Sequence, residues 1–389
     1  MNINVAHFLR KHSQLKASFI KNQVENHIQA NPFVVYKMKL HKRVGGFAEL
    51  DKTTGDELNL SFYNNNILGK VRLKLFKIIN NKDIKIINEF VKRHNIQVLH
   101  FHYGTDAGIY YPFLKINNIP SVVSFYGYDC SGFPNLFGGY GKLFLRRRVF
   151  PVVTKVLAMS PDMEKDLVKI GCPPEKIVVH HHGNDVKGFY IDRKYPEKEG
   201  PTKFLIVSGL TPQKGHLFLL KSFKLALEVN PNIRLTIVGG GPLQNKIVKF
   251  IAKNKLEAFV DFRGSVVYNS QEHIDYLRNH DVFIHPSITD VNGDKEGIPG
   301  AIIEAMSSGL PIISTYHAGI PYIIKNNETG LLVNEFDYKG LADAILKVAG
   351  DIKLQESLGK AGQNFALKEL DLFEKEEELE KIYFEILNN

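Results

Sequence analysis

The stretch Val282–Ser314 reads VFIHPSITDVNGDKEGIPGAIIEAMSSGLPIIS and decides the fold class. It opens with a short apolar strand pattern, VFIHP, and closes with another, LPIIS. Between them, Pro299 suits the first turn of a helix, because no N–H partner is needed there, and Gly309 ends the helix. A strand, a helix and a second strand in this order predict a crossover unit of a parallel sheet.

Two glutamates, Glu296 and Glu304, bracket the predicted helix start with seven residues between them. Isolated glutamates in a loop and on a helix are usually solvated surface groups. Here the helix start lies at the carboxyl ends of the strands, where parallel sheets bind ligands, and its free N–H groups attract anions. The pair therefore predicts an anion site flanked by two carboxylates. A nucleotide-sugar has the matching order of sugar hydroxyls, diphosphate and ribose hydroxyls.

Length and composition indicate a two-domain globular protein. With 389 residues the chain is too long for one ordinary core, and 44% of its residues are hydrophobic. The sequence has no run of about 18 apolar residues that could cross a membrane. The N-terminus, MNINVAHFLRKHSQ, lacks the apolar core of a signal peptide, and Cys130 and Cys172 are too few for a disulfide framework. We therefore expect a cytoplasmic protein, either free or peripheral on the inner face of the cell membrane.

The net charge of +9 is concentrated in the first half, where residues 1–195 hold 29 Lys and Arg against 15 Asp and Glu. A basic half suits an acidic partner such as anionic lipid headgroups, a lipid diphosphate or nucleic acid. Because no pattern typical of a nucleic-acid-binding fold occurs, nucleic acid is not expected. Tyr140–Phe150, YGKLFLRRRVF, mixes three arginines with apolar residues and could lie on an anionic membrane. The alternatives are lysine richness from genome bias and a surface helix with one buried face.

Short apolar β-branched runs alternate with helical patterns along both halves, which predicts right-handed βαβ units. One predicted helix is Ala107–Lys115. The polar stretch Asp192–Thr202, DRKYPEKEGPT, holds two prolines and a glycine and is the predicted linker. We place one domain at residues 1–195 and a second at 196–370. A charged amphipathic helix is predicted at 371–389.

The segment GDKEGIPGAIIEAMSSGLPIIST, followed by HAGIPYII, resembles the E-x7-E signature of the retaining family 4 glycosyltransferases. The resemblance is strongest to the branch that builds bacterial polysaccharides, the colanic-acid type. It implies an α/β fold of the GT-B kind, with two doubly wound Rossmann-like domains facing a cleft. It also implies that the first domain binds the acceptor, that the second binds the donor, and that the helix at 371–389 packs back on the first domain.

The resemblance implies a role for each glutamate and for the helix start between them. Glu304 takes the ribose hydroxyls of the donor, and Glu296 takes the hydroxyls of its sugar. Lys214 and backbone amides at the helix start hold the diphosphate, on which charge builds as the glycosidic bond breaks. The implied donor-binding residues are Gly209, Lys214, Gly239, Arg263, Gly297, Ile298, Pro299, Gly300 and Glu304.

The stretch Phe204–Gly215, FLIVSGLTPQKG, departs from the family pattern at one cation. The family usually shows Gly-Arg-Leu followed by a Lys-Gly pair. Lys214 and the glycine after it match the pair, but Gly209 stands at the arginine position. Either Lys214 and the helix amides suffice for the diphosphate, or Lys295 or Arg263 substitutes.

Two other loops of the second half carry weaker likenesses. Ile237–Leu243, IVGGGPL, contains Gly239 and resembles the Val-Gly-x-Gly-Pro turn of the family, although its spacing is not a dinucleotide fingerprint. Phe262–Val266, FRGSV, resembles the loop that holds the edge of the nucleobase. Each is equally well a plain turn. The base is not identified, so the donor is expected to be a UDP- or GDP-sugar.

Val98–Gly104, VLHFHYG, carries His100 and His102 on one predicted strand. One of them is expected to be a satisfied core histidine. His102, nearer the carboxyl end of the strand, is the better active-site candidate. No third ligand of convincing spacing accompanies them, so no metal is expected. His102 completes the predicted catalytic set with Glu296 and Lys214.

Four residues of the first half are predicted to bind substrate: Ser18, Gly104, Tyr126 and Asp129. Ser18, in KASFI, is predicted to cap a helix whose early turns face the cleft. Tyr126 stands where many family members have a histidine, and a tyrosine is a poor base at neutral pH because its unperturbed pKa is roughly 10. Asp129 either holds an acceptor hydroxyl or caps its own loop.

These features predict a metal-independent transferase that retains the anomeric configuration and requires no cofactor. Its acceptor would be a glycan or a lipid-linked chain in bacterial surface polysaccharide synthesis, lipopolysaccharide included. The leaving phosphate can take the acceptor proton, so no protein nucleophile is required. Two alternatives remain open: a nucleotide-sugar epimerase on the same frame, and a non-catalytic nucleotide-sugar-binding or membrane scaffold protein. The departures at Gly209 and Tyr126 keep the second alternative open.

Overall fold

The computed structural model describes residues 2–38, 57–63, 77–195 and 200–388. Within them the chain forms two compact units. The first unit is Met1–Gly183 together with Leu372–Asn389, and the second is Asn184–Asp371. Each unit is built around one parallel β-sheet with its own apolar core.

The first unit contains a seven-stranded sheet in the order β3-β2-β1-β4-β5-β6-β7, whose neighbouring strands are parallel. Its strands are β1 Ile3–Lys11, β2 Ala30–Met38, β3 Glu57–Asn59, β4 Val98–His102, β5 Ser121–Ser124, β6 Lys155–Ala158 and β7 Ile177–Val179. The described helices are Ser18–Glu25, Asn81–Arg93, Gly104–Ala107, Tyr111–Leu114, Gly132–Arg148, Pro161–Lys169 and Leu372–Asn388.

Apolar clusters that include helices cover both faces of this sheet, so its central strands are buried on both sides. β4, VLHFH, is buried along its whole length, including its two histidines. The helix Leu372–Asn388 contributes Leu379 and Tyr383 to an apolar cluster that includes Val5 and Val98 of the sheet. The end of the chain is therefore part of the first unit.

The second unit contains a six-stranded sheet in the order β10-β9-β8-β11-β12-β13, and its strand pairs are also parallel. Its strands are β8 Thr202–Val207, β9 Ile233–Val238, β10 Val260–Gly264, β11 Val282–His285, β12 Ile312–Thr315 and β13 Leu331–Val333. The described helices are His216–Val229, Gln244–Lys253, Gln271–Asn279, Gly300–Ser307, Ile320–Ile323, Tyr338–Ala349 and Ile352–Glu369.

The predicted crossover unit is confirmed. β11 and β12 pair in parallel, and the helix Gly300–Ser307 connects them along the chain. Pro299 takes the N-cap position, and Gly309 adopts a positive φ of 75°, which a glycine tolerates without strain. Glu296 therefore lies in the loop before the helix and Glu304 inside it, as the sequence predicts.

The boundary between the units falls after Gly183, earlier in the chain than the predicted division at 195/196. Val186 and Phe189 are buried in an apolar cluster of the second unit. The Arg193 guanidinium donates to backbone carbonyls of that unit, at 2.8 Å to Ser308 O. These contacts place residues 184–195 in the second unit, although much of their sequence is polar. Of the predicted linker, residues 196–199 lie outside the described part of the chain.

The predicted helix Ala107–Lys115 is wrong in extent. The structure has two short helices instead, Gly104–Ala107 and Tyr111–Leu114. The second begins with a proline in its first turn, which has no N–H to continue the preceding helix. Among the described residues, none of the helices is both long and apolar enough to span a bilayer.

Candidate functional site

The second unit brings predicted site residues together at the point where its strand order reverses. β8 and β11 are neighbours at the centre of the sheet, and their chain connections lead to opposite sides. Ligands of doubly wound sheets bind beyond the carboxyl ends of such strands. The loop after β8 carries Lys214, and the loop after β11 carries Glu296.

Lys214 and Glu296 form an ion pair. The Lys214 ammonium Nζ lies 2.6 Å from Glu296 Oε2. The side chain of Glu296 is 8% exposed and that of Lys214 is 21% exposed, so the pair is little screened by solvent. The Ser287 hydroxyl donates to Glu296 Oε1 at 3.3 Å. The carboxylate is thus oriented from two sides.

The electrostatics keep Glu296 ionised. Burial is the largest single influence and raises the pKa of the Glu296 carboxyl. The Lys214 charge, with the hydrogen bonds and charges of His285 and Lys214 added to it, outweighs burial and holds that pKa well below its usual range. His285, at the end of β11, places Nε2 3.9 Å from Glu296 Oε1. Burial lowers the pKa of His285, so the imidazole beside the carboxylate is neutral at neutral pH.

A buried histidine at the end of β12 supports the same loop. The Glu296 backbone N–H donates to His317 Nε2 at 3.1 Å, and His317 Nδ1 lies 2.6 Å from Glu335 Oε1. Glu335 in turn accepts from the backbone N–H of Thr289 at 2.7 Å. The sequence analysis missed His317 and Glu335. The available signal was a histidine two residues after the end of β12.

The helix start between the two glutamates offers backbone donors. No side chain in the described part of the chain caps the helix Gly300–Ser307, so its first N–H groups have no side-chain acceptor. A Cβ at Gly300 would lie 3.6 Å from Glu304 Oε1, an ordinary van der Waals contact, and 3.1 Å from Asn184 Nδ2, which is a tight one. Gly297 and Ile298 are buried in the loop that leads to this start. The arrangement can hold an anion next to the Lys214 ammonium.

Glu304 is electrostatically unlike Glu296. It is buried in its helix, and His273 Nε2 lies 3.6 Å from Glu304 Oε2. Burial raises the pKa of Glu304 to about 8, so the group is protonated at pH 7. Burial also lowers the pKa of His273, which leaves it neutral. The two glutamates of the site are therefore in different protonation states.

The remaining predicted donor residues are less closely tied to this pair. Gly239 has a φ of 155°, and a Cβ there would lie 1.9 Å from the Ser208 carbonyl oxygen, so glycine is required by packing. Arg263, which the sequence analysis offers as a substitute cation, is exposed and pairs with Asp261 on its own strand at 2.6 Å. The structure thus joins Lys214 and Glu296 directly and gives Arg263 another partner.

The departure at Gly209 can be tested by restoring the missing cation. No described atom lies within 4 Å of the Cβ position of Gly209, so the Cβ of an arginine would meet no neighbour there. We expect Gly209→Arg to tighten binding of UDP or GDP about tenfold, because a charge-assisted hydrogen bond contributes roughly 1.5–3 kcal/mol. Isothermal titration calorimetry measures the affinity, with Gly209→Gln as the uncharged control. Equal affinities of the two variants would contradict a diphosphate at this position.

In the first unit, His102 lies in a hydrogen-bonded group and not alone. Its Nδ1 is 2.7 Å from the Tyr126 hydroxyl, and its Nε2 is 3.0 Å from Nδ1 of His7 on β1. His100 on the same strand contacts the Tyr383 hydroxyl at 2.6 Å and the hydroxyl of the β5 residue Ser124 at 2.8 Å. His100, which the sequence predicts to be a core residue, and His102, which it predicts to be a site residue, are both fully buried.

Gly104, Tyr126 and Asp129 are brought together by the Asp129 carboxylate. It accepts from the backbone N–H of Gly104 at 2.8 Å and from that of Tyr126 at 3.0 Å. Burial raises the pKa of Asp129 to about 7, although these N–H groups oppose the shift. Of the two predicted alternatives for Asp129, the structure shows the loop cap. A Cβ at Gly104 would lie 2.3 Å from the Phe125 ring, so this glycine is required for packing.

The prediction that Ser18 caps its helix is wrong. Ser18 is the first residue of the helix Ser18–Glu25, and Ala17 occupies the N-cap position with extended φ and ψ of −72° and 120°. No capping hydrogen bond from a side chain is present at this start among the described residues. A serine inside the first turn no longer has the geometry by which an N-cap hydroxyl reaches the following N–H groups.

The histidines of this unit raise the question of a metal site. His7, His100 and His102 place one ring nitrogen each within 4.8 Å of one another. Each of their six ring nitrogens already has a hydrogen-bond partner. The partners of His7 are His102 and His27, and those of His100 are Tyr383 and Ser124. The partners of His102 are Tyr126 and His7. Because a metal ion would have to displace these bonds, hydrogen bonding accounts for the group as it stands.

Comparison with known proteins gives the family. Residues 190–365 match glycosyl transferases group 1, and residues 69–187 match glycosyltransferase family 4. The two matches together span more than half of the chain. The chain thus carries a glycosyltransferase family 4 domain followed by a glycosyl transferases group 1 domain. The sequence-based recognition is thereby confirmed.

Relatives of this glycosyltransferase act in different settings. The amylovoran biosynthesis glycosyltransferase AmsK of Erwinia amylovora is 32% identical over 256 residues, which cover 66% of this chain and 61% of AmsK. The GDP-mannose-dependent alpha-(1-6)-phosphatidylinositol monomannoside mannosyltransferase of Mycobacterium tuberculosis is 30% identical over 178 residues, 44% of each protein. The chain therefore spans less than two thirds of the length of these relatives.

Solved structures confirm the fold class. Anabaena HepE in complex with UDP and glucose matches with a TM-score of 0.76 at 14% identity, covering 99% of this chain and 100% of HepE. Sucrose-phosphate synthase of Thermosynechococcus elongatus matches with a TM-score of 0.78 at 15% identity, covering 100% of both chains. These likenesses show the GT-B fold of two Rossmann-like domains.

Proposed function

We propose that this glycosyltransferase moves a sugar from a UDP- or GDP-sugar to a hydroxyl of a glycan or lipid-linked acceptor, with retention of configuration and without a metal or cofactor. The setting would be the synthesis of bacterial surface polysaccharide. The relative named for amylovoran biosynthesis supports that setting. The relative named as a GDP-mannose-dependent enzyme, and the HepE complex with UDP, support the donor class.

The observation that carries the proposal is the partly buried ion pair of Lys214 and Glu296 beside an uncapped helix start. A cation and free N–H groups at one place suit a diphosphate. An ionised carboxylate next to them suits sugar hydroxyls, which donate hydrogen bonds to it. Glu304, one turn into the helix, would receive the ribose hydroxyls. The order of these groups along the chain follows the order of parts in a nucleotide-sugar.

The same groups can promote cleavage of the donor. Negative charge grows on the diphosphate as its bond to the sugar breaks, and the Lys214 ammonium with the helix N–H groups would stabilise it. Since these donors are already in place, little reorganisation is needed in the transition state. Glu296 holds Lys214 in position and would fix the sugar at the same time. The acceptor hydroxyl must then lose its proton, either to the leaving phosphate or to a group of the first unit.

A donor screen followed by a transfer assay tests the function. A UDP- or GDP-sugar that binds the folded protein should raise its melting temperature by mass action. Incubation of that donor with a lipid-linked or glycan acceptor should give a product whose anomeric configuration equals that of the donor, as measured by NMR. Interconversion of the donor to an epimer without acceptor would overturn the proposal in favour of an epimerase. Binding without any turnover would favour a non-catalytic role.

We further propose that the first unit docks on an anionic membrane through the segment Gly132–Arg148. The helix is interrupted at Leu136–Gly139 by non-helical φ and ψ angles, and Phe137 there is 90% exposed. Tyr140 and Leu143 are also exposed large side chains. The basic side chains Arg146 and Arg147 follow at the end of the segment, both exposed. Exposed apolar groups beside arginines suit the interface of an anionic bilayer.

This surface differs from the one that the sequence suggests. The apolar residues Phe144, Leu145 and Val149, next to the arginines in the sequence, are buried in the core of the first unit. The exposed apolar groups are instead Phe137, in the interruption before this stretch, and Tyr140 and Leu143 at its start. A helix with one buried face is therefore combined with an exposed, apolar loop.

Phe137→Asp should weaken binding to vesicles of phosphatidylcholine and phosphatidylglycerol by more than about tenfold, since an aromatic anchor is lost and a like charge is added. Co-sedimentation with the vesicles measures the bound fraction. Val291→Asp, at a fully exposed valine of the second unit, is the matched control. An equal loss of vesicle binding in both variants, or no vesicle binding by the wild type, would reject the proposal that this segment docks on a membrane.

A further inference from the structure

A continuous line of side chains runs through the first unit from Tyr126 to the C-terminal helix. The Tyr126 hydroxyl lies 2.7 Å from His102 Nδ1, and His102 Nε2 lies 3.0 Å from His7 Nδ1. His7 Nε2 lies 2.8 Å from His27 Nε2, and His27 Nδ1 contacts Glu376 Oε1. We call these five residues the histidine relay.

The histidine relay can be hydrogen-bonded in two directions without moving a heavy atom, because a neutral imidazole donates from one nitrogen and accepts at the other. In the first direction, Tyr126 donates to His102, each histidine donates to the next, and the last donates to a Glu376 carboxylate. In the second, a protonated Glu376 donates and every bond is reversed. Tyr126 then donates to Gln23 Oε1, which lies 3.1 Å away. The second arrangement holds one proton more, and its histidines are still neutral.

The buried end of the relay is suited to hold that proton. Burial, and after it the neighbouring histidines, lowers the pKa of His7 and of His102 well below the ordinary value of 6.5, so these rings do not store charge. Burial raises the pKa of Glu376, although His27 opposes the shift. The neighbouring Glu380 also faces His27, with Oε1 3.6 Å from His27 Nδ1, but this oxygen accepts from the backbone N–H groups of residues 28–30. Glu376 is thus the proton-storing group.

The outer end of the relay is a tyrosine that cannot act as an ordinary base. Tyr126 is only partly buried in the first unit, whereas the histidines next to it have no exposure. Burial raises the pKa of Tyr126 well above the ordinary value of 10, so a phenolate does not form at neutral pH. Tyr126 can accept a proton on its oxygen only while it passes its own proton to His102. The hydrogen bond to His102 makes that exchange available.

We propose that the histidine relay takes up the acceptor proton during sugar transfer, with Tyr126 touching the acceptor hydroxyl and Glu376 storing the proton. This inference rests on the proposed function, because it needs an acceptor hydroxyl beside Tyr126. Tyr126 would be a catalytic residue. His102, His7 and His27 would act through it and hold it ready.

The proton balance of the step is complete. The acceptor oxygen forms the new glycosidic bond as its O–H bond breaks, and the proton moves to the Tyr126 oxygen. Each member of the relay passes its own proton to the next, and the Glu376 carboxylate becomes a carboxylic acid. The nucleoside diphosphate leaves with the electron pair of the broken bond and is not protonated. After product release, the reverse sequence returns the proton to solvent through Tyr126.

Other titratable and charged groups face the relay from the elements packed around it. They are His100, Tyr103, Asp129, His180, Glu380 and Tyr383. His180 also pairs with Glu378, which is bonded to Lys375. Any pH dependence assigned to the relay must therefore disappear when Glu376 alone is changed, because the other groups stay in place.

The first experiment needs no substrate. Nitrogen NMR of the histidine-labelled protein reports which ring nitrogen carries the proton. In the wild type, His7, His27 and His102 should exchange tautomers together at one pH as Glu376 titrates, while all stay neutral. In Glu376→Gln they should keep one tautomer throughout, because the amide cannot take up a proton. Separate titration of the three rings, or no exchange of tautomers in the wild type, would overturn the relay.

The second experiment is a kinetic comparison. Glu376→Gln keeps an acceptor for His27 and should lower kcat for transfer about a hundredfold, the low end of general acid–base effects. In the wild type, kcat should rise with pH as Glu376 ionises. In Glu376→Gln this rise should be lost. Tyr126→Phe should give a similar loss, and the double variant should be no slower than the slower single variant, because both interrupt one chain. Glu377→Gln, at an exposed glutamate of the same helix, is the matched control.

The outcomes separate the relay from the proposed function. A wild-type kcat in Glu376→Gln would show that the leaving phosphate takes the proton, and it would reject the relay. A kcat loss in the double variant equal to the product of the two single losses would show independent effects, and it would also reject the relay. One equivalent of zinc bound through His7, His100 and His102 in the purified protein would also reject it. Joint tautomer exchange without transfer from any donor would reject the proposed function and leave the hydrogen-bond relay standing.

Discussion

Replacing Glu296 with glutamine should lower kcat/KM for sugar transfer by about a thousandfold, comparable with the loss of one preorganised oxyanion donor. The amide keeps the volume of the side chain but removes the charge that lies 2.6 Å from Lys214 Nζ. Lys214 then loses the partner that orients it toward a diphosphate, and the sugar hydroxyls lose an ionised acceptor. Steady-state kinetics with the donor identified by the thermal screen measure the change.

The pH dependence of stability provides a check on the same variant. The pKa of Glu296 is lowered by folding, so its ionised form stabilises the folded state above the ordinary value of 4.5. That stabilisation is lost as the pH falls toward the lower pKa of the folded state. The melting temperature of Glu296→Gln should lie below that of the wild type at pH 7 and approach it in acid. Glu328→Gln, at an exposed glutamate of the second unit, should change neither activity nor melting temperature.

Wild-type turnover by Glu296→Gln would remove this residue from the site. Reduced donor binding with unchanged kcat would mean that Glu296 binds the ground state and the transition state equally, since uniform binding changes KM alone. A parallel fall in kcat would place its effect in the transition state. The two kinetic constants therefore decide between holding the sugar and assisting bond cleavage.

Binding of UDP or GDP should release about one proton at pH 7, because Glu304 must ionise to accept two ribose hydroxyls. The pKa of Glu304 is raised by burial to about 8, so the free protein holds a proton there below that pH. Affinity should rise about tenfold for each pH unit up to pH 8 and then level off. Calorimetry in two buffers of different ionisation enthalpy measures the proton release directly.

Two controls isolate Glu304 in that measurement. In Glu304→Gln the affinity should be lower above pH 8 and nearly independent of pH. A 2′,3′-dideoxynucleoside diphosphate, which lacks the ribose hydroxyls, should bind the wild type without proton release. Proton release that persists in either control would place the titrating group elsewhere. A carboxyl with a raised pKa also destabilises the fold as pH rises from 4.5 to about 8, so the wild type should lose stability over that window relative to Glu304→Gln.

Much of the fold could be predicted because it rests on local patterns. The apolar runs at β11 and β12, with Pro299 and Gly309 around the helix between them, specify a crossover through short-range sequence preferences. β3, at the edge of the first sheet, was missed since three residues carry no readable periodicity. The unit boundary was misplaced because the packing of Phe189 and the hydrogen bonds of Arg193 depend on distant partners.

The candidate site shows the same division. The sequence shows the chain order of Lys214, Glu296 and Glu304, and it predicts the helix start between the two glutamates. It does not predict the protonation states of the glutamates. Burial acts on both carboxyls, but only Glu296 has a cation within hydrogen-bonding distance, so the pKa shifts have opposite signs. The sequence does not contain that distance.

By itself, then, the sequence determined the parallel crossover units, the two-sheet architecture and the segment in which the glutamates occur, because these follow from periodicity and from proline and glycine chemistry. Tertiary structure alone decided which polar groups meet. Residues as far apart as His7, His102 and Glu376 form one line of polar contacts only because β1 and β4 are neighbours in the sheet and the C-terminal helix packs on the same unit. Contacts between distant segments are set by packing in three dimensions, and no local pattern encodes them.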